Sequence, residues 1–236
     1  MTTLSEPTVV FGASDSKAAV SLGLLRRRPG SHQLLAAPLS RALDRLVDRG
    51  WKLSVGAMYG RDTVAVAYET GFSSDRDAVV IFEAPSMDEA IAGTVELGEA
   101  GWDRAWATEW MIGPREFSPV RGHGEHRAPR DWGFIALWEW NDAWQESSAE
   151  QRREYDAECD VAFTSDLASG IDIAGRHRLD WSTSWHHLGV WEADDPIIVD
   201  FAMRQHERVA DFKLTTSRHY LGRRVPLLDL LGVSHG

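Results

Sequence analysis

The single cysteine of this 236-residue chain, Cys159, stands in a pattern that invites chemistry. Tyr155, Cys159, Ala162 and Phe163 fall at i, i+4, i+7 and i+8, the apolar face of a helix that must turn inward. A thiol there is either a small buried hydrophobe or, once ionised, a metal ligand, and the spacing leaves both open. His186 and His187 are adjacent in a strand pattern, so they point to opposite faces and one of them faces the interior. Arg176, His177 and Arg178 form a basic cluster just before Leu179, able to hold an anion or to lie in a solvated turn. His206 and His219, on the last helix and the last strand, read as structural histidines. His123 and His126 are three apart in a polar loop with no zinc-type partners nearby, so they read as loop residues. Trp132, Trp138, Trp140, Trp144, Trp181, Trp185 and Trp191 wall a flat apolar pocket or fill a core. No phosphate loop, dinucleotide glycine motif, serine-triad signature or metalloprotease helix occurs.

These side chains need elements to position them. A short strand is expected over residues 7–12, and residues 13–35 carry no clear pattern beyond a loop at Arg28-Pro29-Gly30. Pro38 opens a helix with Leu39, Ala42, Leu43, Leu46 and Val47 at spacings of three and four, stopped by Gly50. From Trp51 to Tyr68 the period switches to two, which predicts two strands turning at Tyr59-Gly60-Arg61-Asp62. A strand over Val79–Ala84 follows, then a helix from Ser86 with Glu89 at capping-box spacing, then a strand over Trp106–Ile112. Residues 115–130 have linker composition. The second pass gives a strand over Trp132–Trp140 and a helix from Ser148 to about Leu167. Strands near 171–179 and 184–193, a helix from Pro196 to about Phe212 and a last strand at Ser217–Leu221 complete it.

The second pass repeats the first. Shifted by 109 positions, Val80-Ile81-Phe82-Glu83-Ala84 falls on Gly189-Val190-Trp191-Glu192-Ala193, and Met111-Ile112-Gly113-Pro114-Arg115 on Tyr220-Leu221-Gly222-Arg223-Arg224. Each half reads strand, helix, two strands, helix, strand, the ferredoxin-like split βαβ unit. Two such sheets bury their uncovered faces on each other, so the expected fold class is α+β: tandem ferredoxin-like repeats forming an antiparallel-sheet α/β barrel. The organisation is an N-terminal repeat over 1–114, a linker over 115–130 and a C-terminal repeat over 131–236. Asp and Glu number 36 against 25 Lys and Arg, a net charge of -11 that argues against a nucleic-acid partner. No run of apolar residues is long enough to span a membrane, and neither a signal peptide nor an intrachain disulfide is expected, which fits a cytoplasmic protein. The same sheets can meet a neighbouring chain, so a homo-oligomer is expected.

Trp144-Gln145-Glu146-Ser147-Ser148-Ala149-Glu150-Gln151-Arg152-Arg153-Glu154 resembles the helix start of the chlorite dismutase and coprohaem decarboxylase superfamily. Leu179-Asp180, Trp185 through Asp194-Asp195, Met203-Arg204, Phe212 and Tyr220-Leu221-Gly222-Arg223 extend the likeness over about residues 132–226. The resemblance implies a haem pocket in the C-terminal half, between the sheet and its helices. In that family the corresponding helix carries the proximal histidine; the same distance along this chain lands on Cys159. The resemblance thus implies Cys159 as a thiolate axial ligand, which favours cleavage chemistry at the metal, in a pocket formed with Trp138, Tyr155, Phe163 and Trp185. His187 and Arg176 or Arg178 are implied on the distal side as catalytic residues. Trp138 stands where the decarboxylases have a radical-forming tyrosine, which disfavours propionate decarboxylation. The lack of the ligand histidine likewise weakens a chlorite dismutase role. The leading expectation is a haem-dependent enzyme carrying out redox chemistry, or haem-assisted rearrangement or dehydration, on a small substrate. A haem-free barrel monooxygenase or cyclase and a non-catalytic haem or small-ligand carrier are the alternatives.

Overall fold

In a computed structural model of the chain, the structure describes residues 12, 14, 16–30, 33–124, 130–209 and 211–232. The expected strand at 7–12 lies almost wholly outside them, and Gly12 belongs to no element. The first strand is β1 (Ala19–Arg27), inside the stretch that carried no pattern. Its run from Ala19 to Leu25 is buried on both faces, which erases the period-two signal. Helix α1 (Ala36–Asp48) follows as expected.

The two strands expected between Trp51 and Tyr68 are corrected. Val55–Met58 is a one-turn helix, α2, and only β2 (Val66–Glu69) is a strand. Ser54 explains the change: its Oγ accepts from the Ala57 N–H at 2.9 Å and donates to Asp62 at 2.8 Å, so a local cap closes a turn where alternation suggested extension. β3 (Ala78–Ala84), α3 (Met87–Glu99), the one-turn α4 (Trp102–Ala105) and β4 (Trp106–Pro114) complete the first unit. Ser86 caps α3 through the Glu89 N–H.

The second unit comprises β5 (Trp132–Trp140), the short α5 (Asp142–Glu146), α6 (Ala149–Ala168), β6 (Asp172–Arg178), β7 (His187–Ala193), α7 (Pro196–Arg208) and β8 (Thr215–Pro226). α6 begins in a reciprocal capping box between Ser148 and Gln151.

All eight strands form one antiparallel sheet in the order β4-β1-β3-β2-β8-β5-β7-β6, two copies of the ferredoxin-like order joined at β2 and β8. The outer edges return to each other: the Ile112 N–H donates to Ser182 Oγ at 2.8 Å. A Cβ on Gly113 would stand 1.5 Å from the Arg178 carbonyl oxygen, so only glycine permits that approach. Helices cover the outside. Inside, Leu22, Leu24, Tyr68, Ile81, Met111, Ile135, Leu137, Leu188, Val190 and Tyr220 interdigitate as one core shared by both units. The segment after β4 is tied down, with Arg115 bridging His177 and Val120 bridging Ile173 on β6.

Buried charge concentrates inside the barrel. Glu83 accepts from Arg115 and pairs with Lys52 at 2.7 Å. At the position 109 residues on, Glu192 accepts from Tyr68 Oη at 2.5 Å and lies 3.7 Å from Arg61. Burial pushes Glu192 up to about 7, against the pull of Tyr68 and Arg61. Asp172 behaves oppositely: burial raises it, but hydrogen bonds from Arg130, the Gly122 N–H and Arg61 win and leave it lowered.

Candidate functional site

Between the outer face of the second unit's sheet and helices α6 and α7 lies a cleft with a cavity volume of about 120 Å3, partly open to solvent. Its floor is built from alternate residues of four strands. Arg176, Gly189, Ala136 and His219 stand side by side in register across β6, β7, β5 and β8. Because side chains alternate along a strand, Phe134, Ala136 and Trp138 share this face on β5, as do Gly189 and Trp191 on β7. The two middle residues of the row are small, and a Cβ added to Gly189 would meet nothing within 4 Å. A trough therefore runs between Trp138 on one side and the Phe134–Trp191 pair on the other, whose ring centroids are 5.0 Å apart. From above, α6 contributes Tyr155, Asp156, Cys159 and Phe163, while α7 contributes Met203 and His206.

The structure brings five of the sequence-derived site residues to this cavity: Trp138, Tyr155, Cys159, Phe163 and Arg176. Three others stand elsewhere. His187 is stacked on Trp138 at 4.1 Å, at the end of the same sheet face but outside the lining. Arg178 reaches outward to a two-toothed pair with Asp180 at 2.9 and 3.2 Å. Trp185 packs against the barrel interior core rather than the cleft. Of the other tryptophans, Trp140 and Trp191 line the cleft, Trp144 stacks on Trp140 at 3.7 Å, Trp132 meets Phe72, and Trp181 is exposed.

Two polar groupings at the cleft escaped sequence reasoning. Glu116, in the segment of linker composition, places Oε2 2.8 Å from Arg176 Nε and 3.1 Å from His187 Nδ1. Burial raises Glu116, but the His187 hydrogen bond and Arg176 outweigh it, so its carboxyl sits below the ordinary value. Burial lowers His187 despite that carboxylate, which favours the neutral imidazole. The second grouping is a buried pair, His206 Nε2 to Asp166 Oδ2 at 2.8 Å, with the imidazole 5.0 Å from Phe163 and 5.1 Å from Trp191. The i to i+7 spacing from Cys159 to Asp166 could have placed Asp166 on the inner face of α6. Nothing local links it to His206, 40 residues away. Asp156, one helical turn before Cys159, has its carboxyl raised by burial, an effect that Arg176 opposes.

Solved structures share this architecture. A chlorite dismutase from Candidatus Nitrospira defluvii, as an arginine-to-glutamate variant, superposes with a TM-score of 0.71 over 93% of this chain and 96% of its own, at 12% identity. A tryptophan-to-valine variant gives the same TM-score and identity over 93% and 95%, and the complex of that enzyme with imidazole gives 0.69. The fold is that of the chlorite dismutases. The eight-stranded sheet and the outer helices of this chain are thus a divergent form of the chlorite dismutase architecture, as the resemblance over residues 132–226 implied. No protein-family model and no curated protein matches the sequence. Among the described residues no helix is long and apolar enough to cross a membrane.

Proposed function

We propose that this chain is a haem-dependent enzyme acting on a small molecule, with the cofactor seated in the cleft between β5–β8 and helices α6 and α7. The observation that carries the reading is the trough over Ala136 and Gly189, flanked by flat aromatic side chains and lined by Cys159. Sheet floor and aromatic walls suit a flat macrocycle better than a compact polar ligand. The donors fit as well. Among the described residues no three His, Cys, Asp or Glu gather as a metal cage. Donors that stand apart over an apolar trough, Cys159 on α6 and His206 on α7, suit a metal that arrives with its other ligands in place. The chlorite dismutase of this fold is seen with imidazole, and a variant of it with cyanide, both small bases that bind transition metals.

Cys159 would hold the iron through its thiolate. A haem held by this thiolate would supply redox chemistry, or assist rearrangement or dehydration, of a small substrate. The protein contributes the rest. Trp138, Trp140, Trp191 and Phe163 shield the cleft from water, Glu116 holds Arg176 at the polar end, and Asp156, half-buried with its carboxyl raised, stands where it can hold a proton beside the substrate. A second donor reading is favoured by one observation, the Asp166 carboxylate on His206, since metal-binding imidazoles are commonly oriented by such a partner. Self-association is proposed on the exposed apolar pairs Ile91/Val95 of α3 and Ile197/Phe201 of α7, and light scattering during gel filtration tests it.

Titration with hemin, followed by reduction under carbon monoxide, tests the cofactor. A thiolate-type red-shifted Soret band that Cys159→Ala abolishes is the expected result. A band that survives Cys159→Ala and vanishes in His206→Gln moves the donor to α7. Hemin that stays as in buffer removes the haem reading.

A further inference from the structure

We propose that the cleft takes a flat, apolar molecule carrying a carboxylate, and that Arg176 grips the carboxylate through its two Nη groups. The inference concerns the same site as the haem reading but does not need the iron. Among the residues lining the cleft, Arg176 is the one lysine or arginine. Its Nε is engaged by Glu116 at 2.8 Å, and its guanidinium lies 4.2 Å over Phe117 and 5.7 Å from the Trp138 ring. Glu116 and the rings hold the fork in one orientation. Among the described residues neither Nη has a hydrogen-bond partner, and Asp156, the carboxyl of α6 in the lining, makes no ion pair with it. A guanidinium mostly shielded from water, with one edge anchored and the other unused, is arranged for bidentate recognition of a planar oxyanion.

What lies beyond the fork defines the body of the ligand. From Arg176 the register row continues through Gly189 and Ala136 to His219, so the smooth floor extends across about 10–14 Å at the usual strand spacing. Trp138 and Trp191 flank it, and Phe163 covers it. An aliphatic chain would leave these rings half used. A fused or extended aromatic system would lie flat along the trough with its acid group at Arg176. Such a carboxylate belongs either to a small substrate or to a porphyrin propionate, and the chemistry at Arg176 is the same.

Binding to the protein without cofactor is measured by quenching of its tryptophan fluorescence with naphthoate and with the neutral naphthamide. Hemin is compared with hemin dimethyl ester by absorbance. Naphthoate is expected to bind at least ~10-fold more tightly than the amide. Arg176→Gln should erase that preference and leave amide binding unchanged. Arg176→Lys, which keeps the charge and loses the fork, should retain only part of it. A preference for the acid with naphthoate alone assigns the fork to a substrate, and one with hemin alone assigns it to a propionate. Preference for naphthoate in a protein that ignores hemin would retire the haem reading and leave this inference standing. Acid and neutral forms bound alike, in both pairs, overturn it even if hemin binds.

Discussion

The two halves of the barrel have the same strand order and the same helix placement, yet they treat the space between sheet and helices differently. In the first unit that space is filled. Trp51, Trp102 and Trp106 are buried with Leu39, Leu43, Leu46 and Phe82 in one cluster. Its glycines are there to admit rings: a Cβ on Gly93 would lie 2.2 Å from Trp51, and one on Gly23 2.8 Å from Trp110. In the second unit the residue 109 positions after Val80 is Gly189, which faces open space. A glycine thus opens room for the protein's own tryptophan in one half, and room for something else in the other. The two faces are equivalent in strand order, and one is core while the other is a cleft.

The most severe way to break this difference is to make the second unit like the first. Gly189→Val copies the residue at the equivalent position, and valine suits a strand, so circular dichroism and Tm should hardly change. Binding of hemin or naphthoate should drop by more than ~100-fold, because the side chain would stand in the trough. Unchanged affinity would mean that the trough is not where ligands lie.

The repeated barrel acids give the next effect. Glu83 and Glu192 are equivalent, but Glu83 has Arg115 and Lys52 against it, whereas Glu192 relies on Tyr68 with Arg61 farther off. With its folded value raised to about 7, Glu192 takes up a proton on folding. Its contribution to stability is therefore complete below the ordinary carboxylate range and is lost as the pH rises through about 7. At about 1.4 kcal/mol per pH unit the loss approaches ~3 kcal/mol. Denaturant titrations at pH 5 and pH 8 should show wild type weakening by that order relative to Glu192→Gln, whose amide still accepts from Tyr68. A constant difference between the two proteins at both pH values would contradict it. A pair of alanine substitutions gives a smaller effect. Gly93→Ala forces a methyl onto Trp51 and should cost ~1–3 kcal/mol by overpacking, despite the better helix former. Gly189→Ala meets nothing, and its Tm should stay close to wild type.

This contrast also shows what the sequence could carry. The helix starts at Ser86 and Ser148 were legible because capping is local chemistry, written within four residues. The repeated element order was legible because Glu83/Glu192 and Arg115/Arg224 match across the shift, and both acids are buried inside the barrel. β1 was not legible, since burial on both faces removes periodicity, and α2 was not, since one serine cap overrode an alternating run. At the site, helical spacing put Tyr155, Cys159 and Phe163 on one face, and they share the cleft. Glu116 was hidden for a different reason. Its partners Arg176 and His187 are 60 and 71 residues away, and polar linker composition says nothing about contacts over that distance. The trough was hidden because it is a missing side chain: Gly189 gains meaning only beside Val80.

The smallest expected effect is also the most selective. Ser86 and Ser148 are matched caps, one on a helix over the filled face and one on the helix over the cleft. Replacing either with alanine should cost ~1 kcal/mol, since an orphan N–H in the first turn loses its acceptor. The consequences should differ. α3 is braced along its length by Arg45 and Arg49 on Glu96 and by the packed tryptophans beneath it, so Ser86→Ala should lower Tm and leave ligand binding alone. α6 lines the cleft with Tyr155 and Asp156, which lie only about two turns beyond its cap. Fraying there loosens one wall of the cleft, so Ser148→Ala should weaken naphthoate or hemin binding several-fold for the same loss of Tm. Equal effects of the two substitutions on binding would mean that the cleft draws its shape from the whole barrel rather than from its own helix.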